Sequence, residues 1–246
     1  MDINEKLREA ARTGSEVELK ALLSDPYCNP LSTSANQMTA LMMATCYGHE
    51  ACVQLLLPVS NALQRGQYGW TALMWAVKSG HDAGVSLLLT AGGALLADDT
   101  GLTALMWAAK SGHGAGVSLL LPAGGALDKD DAGLTALMWA AAYDREDCVA
   151  RLLPVSDVLA KTDAGLTALM HAAAGGHDAS IKLLLPTSQA LDQDSKGITA
   201  SGWARSEGFE DTAQFIEAYV LSQSERSSIG DAVPLGAPHR RAAPRV

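Results

Sequence analysis

Gly101 to Leu121 reads GLTALMWAAKSGHGAGVSLLL. Nearly the same string stands at Gly69 to Leu89 (GWTALMWAVKSGHDAGVSLLL) and, with more changes, at Gly133 to Leu153 (GLTALMWAAAYDREDCVARLL). The threonine of its T-A-x tripeptide returns at Thr39, Thr71, Thr103, Thr135, Thr167 and Thr199, once every 32 residues. So strict a period marks a stacked array, in which each unit is one supersecondary element that cannot bury its apolar face without its neighbours.

With each threonine as offset zero, Leu recurs at +2, Ala at +5, Gly at +9, His at +10, a β-branched residue at +14 and Leu at +16 to +18. In the unit of Thr103 these are Leu105, Ala108, Gly112, His113, Val117 and Leu119 to Leu121. The pattern predicts two short helices joined by a glycine turn. Pro58, Pro122, Pro154 and Pro186 all fall at +19, where a ring without an N–H ends the second helix. The Gly- and Asp-rich stretch that follows, such as Ala123 to Leu134, reads as a turn-bearing loop to the next unit.

The motif G-x-T-A-L-M-W-A-A-x-x-G-H-x-x-x-V-x-L-L-L resembles the ankyrin repeat, and five or six tandem matches in register cover roughly Ile3 to Val220. The resemblance implies an all-α solenoid of stacked helix-turn-helix repeats with projecting β-turn fingers, first helices lining a concave groove, protein binding and no catalysis. The chain departs from the family pattern in three places. T-P-L-H becomes T-A-L-M, which removes the proline that favours the first helical turn and implies looser helix starts. The unit is about one residue short, in the finger segment. In the unit of Thr135, Asp144-Arg145-Glu146-Asp147 replaces the Gly-His turn and its small neighbours.

Residues 1–34 read as an N-terminal capping repeat, with Glu5 in the place of the threonine, and residues 35–197 as five internal repeats. Residues 198–221 read as a C-terminal capping repeat in which Ser201 and Gly202 replace Leu and Met. Polar outer faces on terminal units keep such arrays soluble. Residues 222–246, rich in Ser, Pro, Gly and Ala with Arg226, Arg240, Arg241 and Arg245, lack the apolar content to order themselves and predict a disordered tail.

Composition narrows the function classes. A formal charge of −9 disfavours nucleic acid, whose phosphates need clustered Lys and Arg. No run of apolar residues is long enough to span a membrane, and the N-terminus lacks the flank of a secretory signal. Cys28, Cys46, Cys52 and Cys148 form no C-x-x-C pair and read as reduced thiols of a cytoplasmic protein. There is no phosphate loop, no H-E-x-x-H and no G-x-S-x-G. The expectation is therefore a monomer without catalytic residues, cofactor or metal.

One column stands out at +4: Met43, Trp75, Trp107, Trp139, His171 and Trp203. At about 100° per residue it points well away from the core offsets and predicts a strip along the groove, with Lys78 and Lys110 at +7 and Tyr143 beside it. Tryptophan with a cation alongside is a favoured anchor for a partner. Indoles wedged between neighbouring first helices would serve as glue instead, and the sequence leaves both roles open. His49, His81, His113 and His177, one per unit, lie too far apart to share a metal ion and read as turn residues. Asp98, Asp99, Asp128, Asp130, Asp131, Asp163, Asp192 and Asp194 read either as solvated turn residues or as an acidic finger edge that attracts a basic partner. The leading expectation is a protein-binding scaffold using groove and fingers. The alternative is an inhibitor or immunity-type regulator that neutralises a basic protein.

Overall fold

The computed structural model describes residues 2–230. These form seven helix pairs: α1 (Ile3–Thr13) with α2 (Glu16–Leu23), α3 (Ala40–Cys46) with α4 (Glu50–Leu56), α5 (Ala72–Lys78) with α6 (Asp82–Leu89), α7 (Ala104–Ser111) with α8 (Gly114–Leu120), α9 (Ala136–Ala142) with α10 (Glu146–Leu152), α11 (Ala168–Ala174) with α12 (Asp178–Leu184), and α13 (Ala200–Ser206) with α14 (Glu210–Gly230). Among the described residues there is no strand, only an isolated bridge between Ala97 and Thr103. No described helix is long and apolar enough to cross a membrane.

Each periodic threonine is a helix N-cap. The Thr103 hydroxyl accepts from the N–H of Met106, and the hydroxyls of Thr39, Thr71, Thr135, Thr167 and Thr199 do the same three residues on. A cap of this kind satisfies one of the free N–H groups that open a helix and is worth about 1 kcal/mol. The helix starts are therefore defined without the family's proline, and the looser starts implied by T-A-L-M do not occur. In the first unit the cap has moved: Asp2 closes a capping box with Glu5, so Glu5 sits inside the first turn of α1 and not in the place of the threonine.

The core follows the repeat. Leu105, Met106, Ala108 and Ala109 of α7 and Val117 and Leu120 of α8 are buried, as are their counterparts in the units of Thr39, Thr71, Thr135 and Thr167. First helices pack against first helices more extensively than second against second, because alanines at +5 and +6 let them approach. At +19, Pro58, Pro122 and Pro154 do not stop the chain outright but sit in single 3-10 turns appended to α4, α8 and α10.

The fingers are regular although the unit is short. In each, the N–H at −5 donates to the carbonyl at −1, as Asp98 to Leu102 (2.9 Å), Asp130 to Leu134 (3.0 Å) and Asp194 to Ile198 (3.0 Å). Position −2 is left-handed: Gly101 has φ 81°, and a Cβ there would lie 2.6 Å from the Asp131 nitrogen, so a side chain is excluded twice over. Neighbouring fingers are stitched by Asp99 N–H to Tyr68 C=O (3.0 Å) and Ser195 N–H to Ala164 C=O (3.0 Å).

The C-terminal boundary needs correction. The expected tail begins at Ser222, but α14 runs on to Gly230. No proline or glycine interrupts it before that point, and Tyr219 still packs on the core. The remainder of the expected tail, residues 231–246, lies outside the described residues.

Candidate partner-binding groove

The +4 column lies where the first helices face the fingers, and its residues are half-buried. What orients the indoles is a carboxylate nine residues earlier in the chain. Trp107 Nε1–H donates to Asp98 Oδ2 (2.9 Å), Trp139 Nε1–H to Asp130 Oδ2 (2.8 Å) and Trp203 Nε1–H to Asp194 Oδ2 (3.1 Å). The other oxygen of each aspartate accepts backbone N–H groups of its own finger: Thr100 and Leu102, Ala132 and Leu134, Lys196 and Ile198. One side chain thus clamps the finger and aims the indole. Burial pushes the Asp98 carboxyl up, but hydrogen bonds from Thr100, Trp107 and Leu102 outweigh it and hold it below the ordinary aspartate range. Asp194 is held low by the N–H of Ile198 against burial, with Lys196 and Trp203 adding to the effect.

These aspartates correct one expectation. Asp98, Asp130 and Asp194 are 6, 7 and 9% exposed, so they do not form part of an acidic outer edge. They turn inward because their hydrogen-bond donors, the finger N–H groups and the indole N–H, lie on that side. Asp99, Asp128, Asp131 and Asp163 are exposed as expected, and Asp99 pairs with Arg65 (2.8 Å) and Asp192 with Lys161 (3.2 Å).

Two lysines are interleaved with the rings. Lys78 Nζ lies 4.8, 5.5 and 6.0 Å from the ring centres of Trp70, Trp75 and Trp107, and Lys110 Nζ lies 5.0, 4.0 and 5.6 Å from those of Trp107, Trp139 and Tyr143. Such contacts are each worth about 0.5–2 kcal/mol, depending on desolvation. Tyr143 stacks on Trp139 at 5.8 Å. Trp75, Trp107, Trp139, Lys78, Lys110 and Tyr143 are therefore one continuous strip. Trp203 is oriented in the same way but stands apart, because His171 occupies the position between it and Trp139.

Trp70 was not among the sequence candidates. It sits at −1, where the other units carry Met38, Leu102, Leu134, Leu166 and Ile198, and that lone aromatic substitution was the available signal. Its ring is tilted against Trp75 (4.7 Å) and Trp107 (4.5 Å) and closes the end of a cleft of about 480 Å³, which Tyr68, Met38, Lys78 and Lys110 also line. Trp75 thus has a ring packed against it where Trp107, Trp139 and Trp203 have a carboxylate. Position −5 in that unit is Gly66, where a Cβ would lie 2.8 Å from the Gln37 carbonyl oxygen, so no aspartate fits.

His171 breaks the column together with its partner position. Thr162 replaces the aspartate, and its hydroxyl accepts only the N–H of Leu166 (3.1 Å). His171 Nε2 is buried without a protein partner, and burial pushes its pKa below the ordinary histidine range, with the Asp130 charge opposing in part. The +10 residues have the turn role expected of them: His49, His113 and His177 reach the carbonyls of Arg12, Val77 and Ala142 in the preceding unit. Arg145, in the divergent turn, takes over that role by donating Nε–H to the Lys110 carbonyl (3.2 Å), while Asp144 adopts the left-handed turn at φ 51°. Burial pushes the Cys148 thiol up to about 11, with the Asp147 charge adding, which is the opposite of an activated nucleophile.

A second feature escaped the sequence reading. Leu31, Leu63, Leu95, Leu127, Leu159 and Leu191, all at −8, are 42–69% exposed and form one leucine per unit along the outside of the loops. The period was visible, but a leucine in a loop reads as core until the loop's direction is known.

The described geometry agrees with known proteins. A profile of ankyrin repeats in three copies matches residues 7–96 and 92–162. The crystal structure of the human ASB11 ankyrin repeat domain superposes with a TM-score of 0.72 at 26% identity, covering 85% of this chain and 96% of that one. No curated protein matches the chain in sequence. With more than half its length matched by the profile and the same stacked helix pairs in space, the chain belongs to the ankyrin-repeat family.

Proposed function

We propose that the chain is a non-catalytic scaffold that binds a protein partner along the groove formed by its first helices and fingers, as a cytoplasmic monomer. Ankyrin repeats are in general protein–protein interaction modules. The observation that carries the reading is the strip of Trp75, Trp107, Trp139 and Tyr143, whose rings remain partly exposed while buried Trp70, buried carboxylates and lysines hold them in place. Rigid aromatic groups that keep their faces in water are what interface anchors require. Free thiols at all four cysteines support a reducing compartment. The inhibitor reading draws less support, because three of its eight finger aspartates turn inward and two more already face Arg65 and Lys161.

Affinity capture from a lysate of the source organism tests it, comparing the intact chain with a Trp107→Ala/Trp139→Ala variant whose helicity is checked by circular dichroism. The expected result is loss of the captured protein with the fold retained. Should that variant unfold, Tyr68→Ala and Tyr143→Ala, both at exposed positions on the rim, serve instead. Undiminished capture by a folded variant would remove the groove as the site.

A further inference from the structure

Two cations sit on the floor of this groove in a chain whose formal charge is −9. Neither Lys78 nor Lys110 forms an ion pair among the described residues, whereas other basic groups do, as Arg65 with Asp99, Arg151 with Asp147 and Arg205 with Glu210. The nearby acids are spent: Asp98 and Asp130 lie buried under the indoles, their oxygens taken by Trp107, Trp139 and finger N–H groups. What a ligand meets at the surface is ammonium and ring face. The rings also pin the lysines, since each Nζ lies within 6.0 Å of three ring centres.

The spacing narrows the ligand. Lys78 and Lys110 occupy the same offset in adjacent units, and packed helices stand roughly 8–10 Å apart. A polyproline II segment advances about 9 Å per turn of three residues, so side chains three apart on such a segment meet both lysines from one face. Aromatic-lined grooves suit that conformation, because it is already extended and loses little entropy on docking. The cleft of about 480 Å³ that Trp70, Trp75 and Trp107 line together with Tyr68 and Met38 has room for an apolar side chain from between the two carboxylates.

We propose that the groove recognises an acidic, extended peptide segment, with carboxylates three residues apart that pair with Lys78 and Lys110 and an intervening apolar or proline side chain that enters the cleft lined by Trp70, Tyr68 and Met38. This rests on the groove being the partner site and adds the chemistry of the partner.

The test uses the full chain and three fluorescein-labelled peptides, EPLEPLE, KPLKPLK and QPLQPLQ, with binding read by anisotropy up to millimolar chain. EPLEPLE binds, QPLQPLQ binds at least ten-fold more weakly, and raising salt from 50 to 500 mM weakens EPLEPLE several-fold. Lys78→Gln/Lys110→Gln lowers EPLEPLE affinity at least ten-fold, and Lys78→Glu/Lys110→Glu reverses the preference toward KPLKPLK. Equal binding of the acidic and basic peptides, no binding of EPLEPLE to a folded chain, or preferential binding of an oligothymidylate to the same lysines would overturn the proposal. The two readings fail differently. If the natural partner is lost with the tryptophan variants but tolerates charge reversal, the groove stands and the acidic chemistry falls. If it tolerates both, the groove itself is the wrong site.

Discussion

The units of Thr71, Thr103 and Thr135 and the units of Thr167 and Thr199 share one backbone but present different grooves. The first three carry Trp70, Trp75, Trp107, Trp139 and Tyr143 with two lysines between them. The last two carry an isolated Trp203 and a half-buried His171, with Ala174 and Ser206 at the lysine offset. The core columns stay nearly constant as far as the unit of Thr167, and in the unit of Thr199 Ala204, Ala213 and Ile216 keep their buried places. The break lies in the unit of Thr167, at a pair of positions, −5 and +4: aspartate stands with tryptophan on both sides of it, at Asp98–Trp107, Asp130–Trp139 and Asp194–Trp203, and threonine stands with histidine at Thr162–His171. The array is held together by one set of residues and given its surface by another, and the link between the two is a buried carboxylate.

The largest expected effect comes from removing that link. Asp130→Ala leaves Trp139 Nε1–H and the N–H groups of Ala132 and Leu134 without acceptors. Orphaned buried donors cost about 1–3 kcal/mol, so urea unfolding should show a loss of about 2–3 kcal/mol. Thr162→Ala removes a single acceptor, for the N–H of Leu166, and should cost about 1 kcal/mol. Equal losses at the two sites would mean that the indole contributes nothing to the clamp.

The pairing can also be transplanted. His171→Trp alone introduces an indole N–H with no carboxylate beneath it, and Thr162→Asp alone introduces a buried charge without its donor. Made together, they should build a fourth rung. A double-mutant cycle should then give a favourable coupling of about 1 kcal/mol, in the usual range for residues in contact. Coupling near zero would show that the correlation between the two positions has no energetic basis in this fold.

These pairs also show where sequence reading stops. The threonine period, the buried Leu, Met and Ala columns and the glycine turn were legible because helix geometry links residues three and four apart. That Thr103 caps α7 follows from the same local rule. Asp98 and Trp107 are nine residues apart across a finger, and only the finger's path makes them neighbours. Asp98 was indistinguishable from Asp99 in the string, yet one is buried and the other pairs with Arg65 at the surface. Trp70 was hidden for a similar reason: a residue before the cap has no helical face from which to read its direction. Arg145 was legible as a departure, but not as a replacement for histidine, since the carbonyl it reaches belongs to the preceding unit.

A smaller effect is expected at the rim of the aromatic half. Tyr68 holds φ 59°, a left-handed conformation that costs a side chain with a Cβ roughly 1 kcal/mol relative to glycine. Strain of this kind persists where a side chain is needed at that spot, and the Tyr68 ring lines the Trp70 cleft. Tyr68→Gly should therefore raise stability by about 0.5–1 kcal/mol in urea titrations while weakening EPLEPLE binding. Stability gained without any loss of binding would separate Tyr68 from the groove.

The smallest effect separates the two regions by pH. His171 has a folded pKa below the ordinary value of 6.5 because it is buried, so the unfolded chain takes up its proton first as pH falls. Its contribution is fully present above about pH 6.5 and is lost progressively below it. His81, lowered by burial in the same direction, adds to that slope. Asp98 works in a different window: its folded pKa lies below the ordinary 3.8, so its contribution is present above that value and is lost only as pH falls further through the folded one. Urea midpoints measured at pH 7.5 and 5.5 should drop for the native chain and drop less for His171→Trp, because the buried imidazole at 171 no longer contributes to the slope. An undiminished drop in that variant would mean that His171 is not held neutral by burial, and the gap in the indole column would be a simple substitution without a chemical consequence.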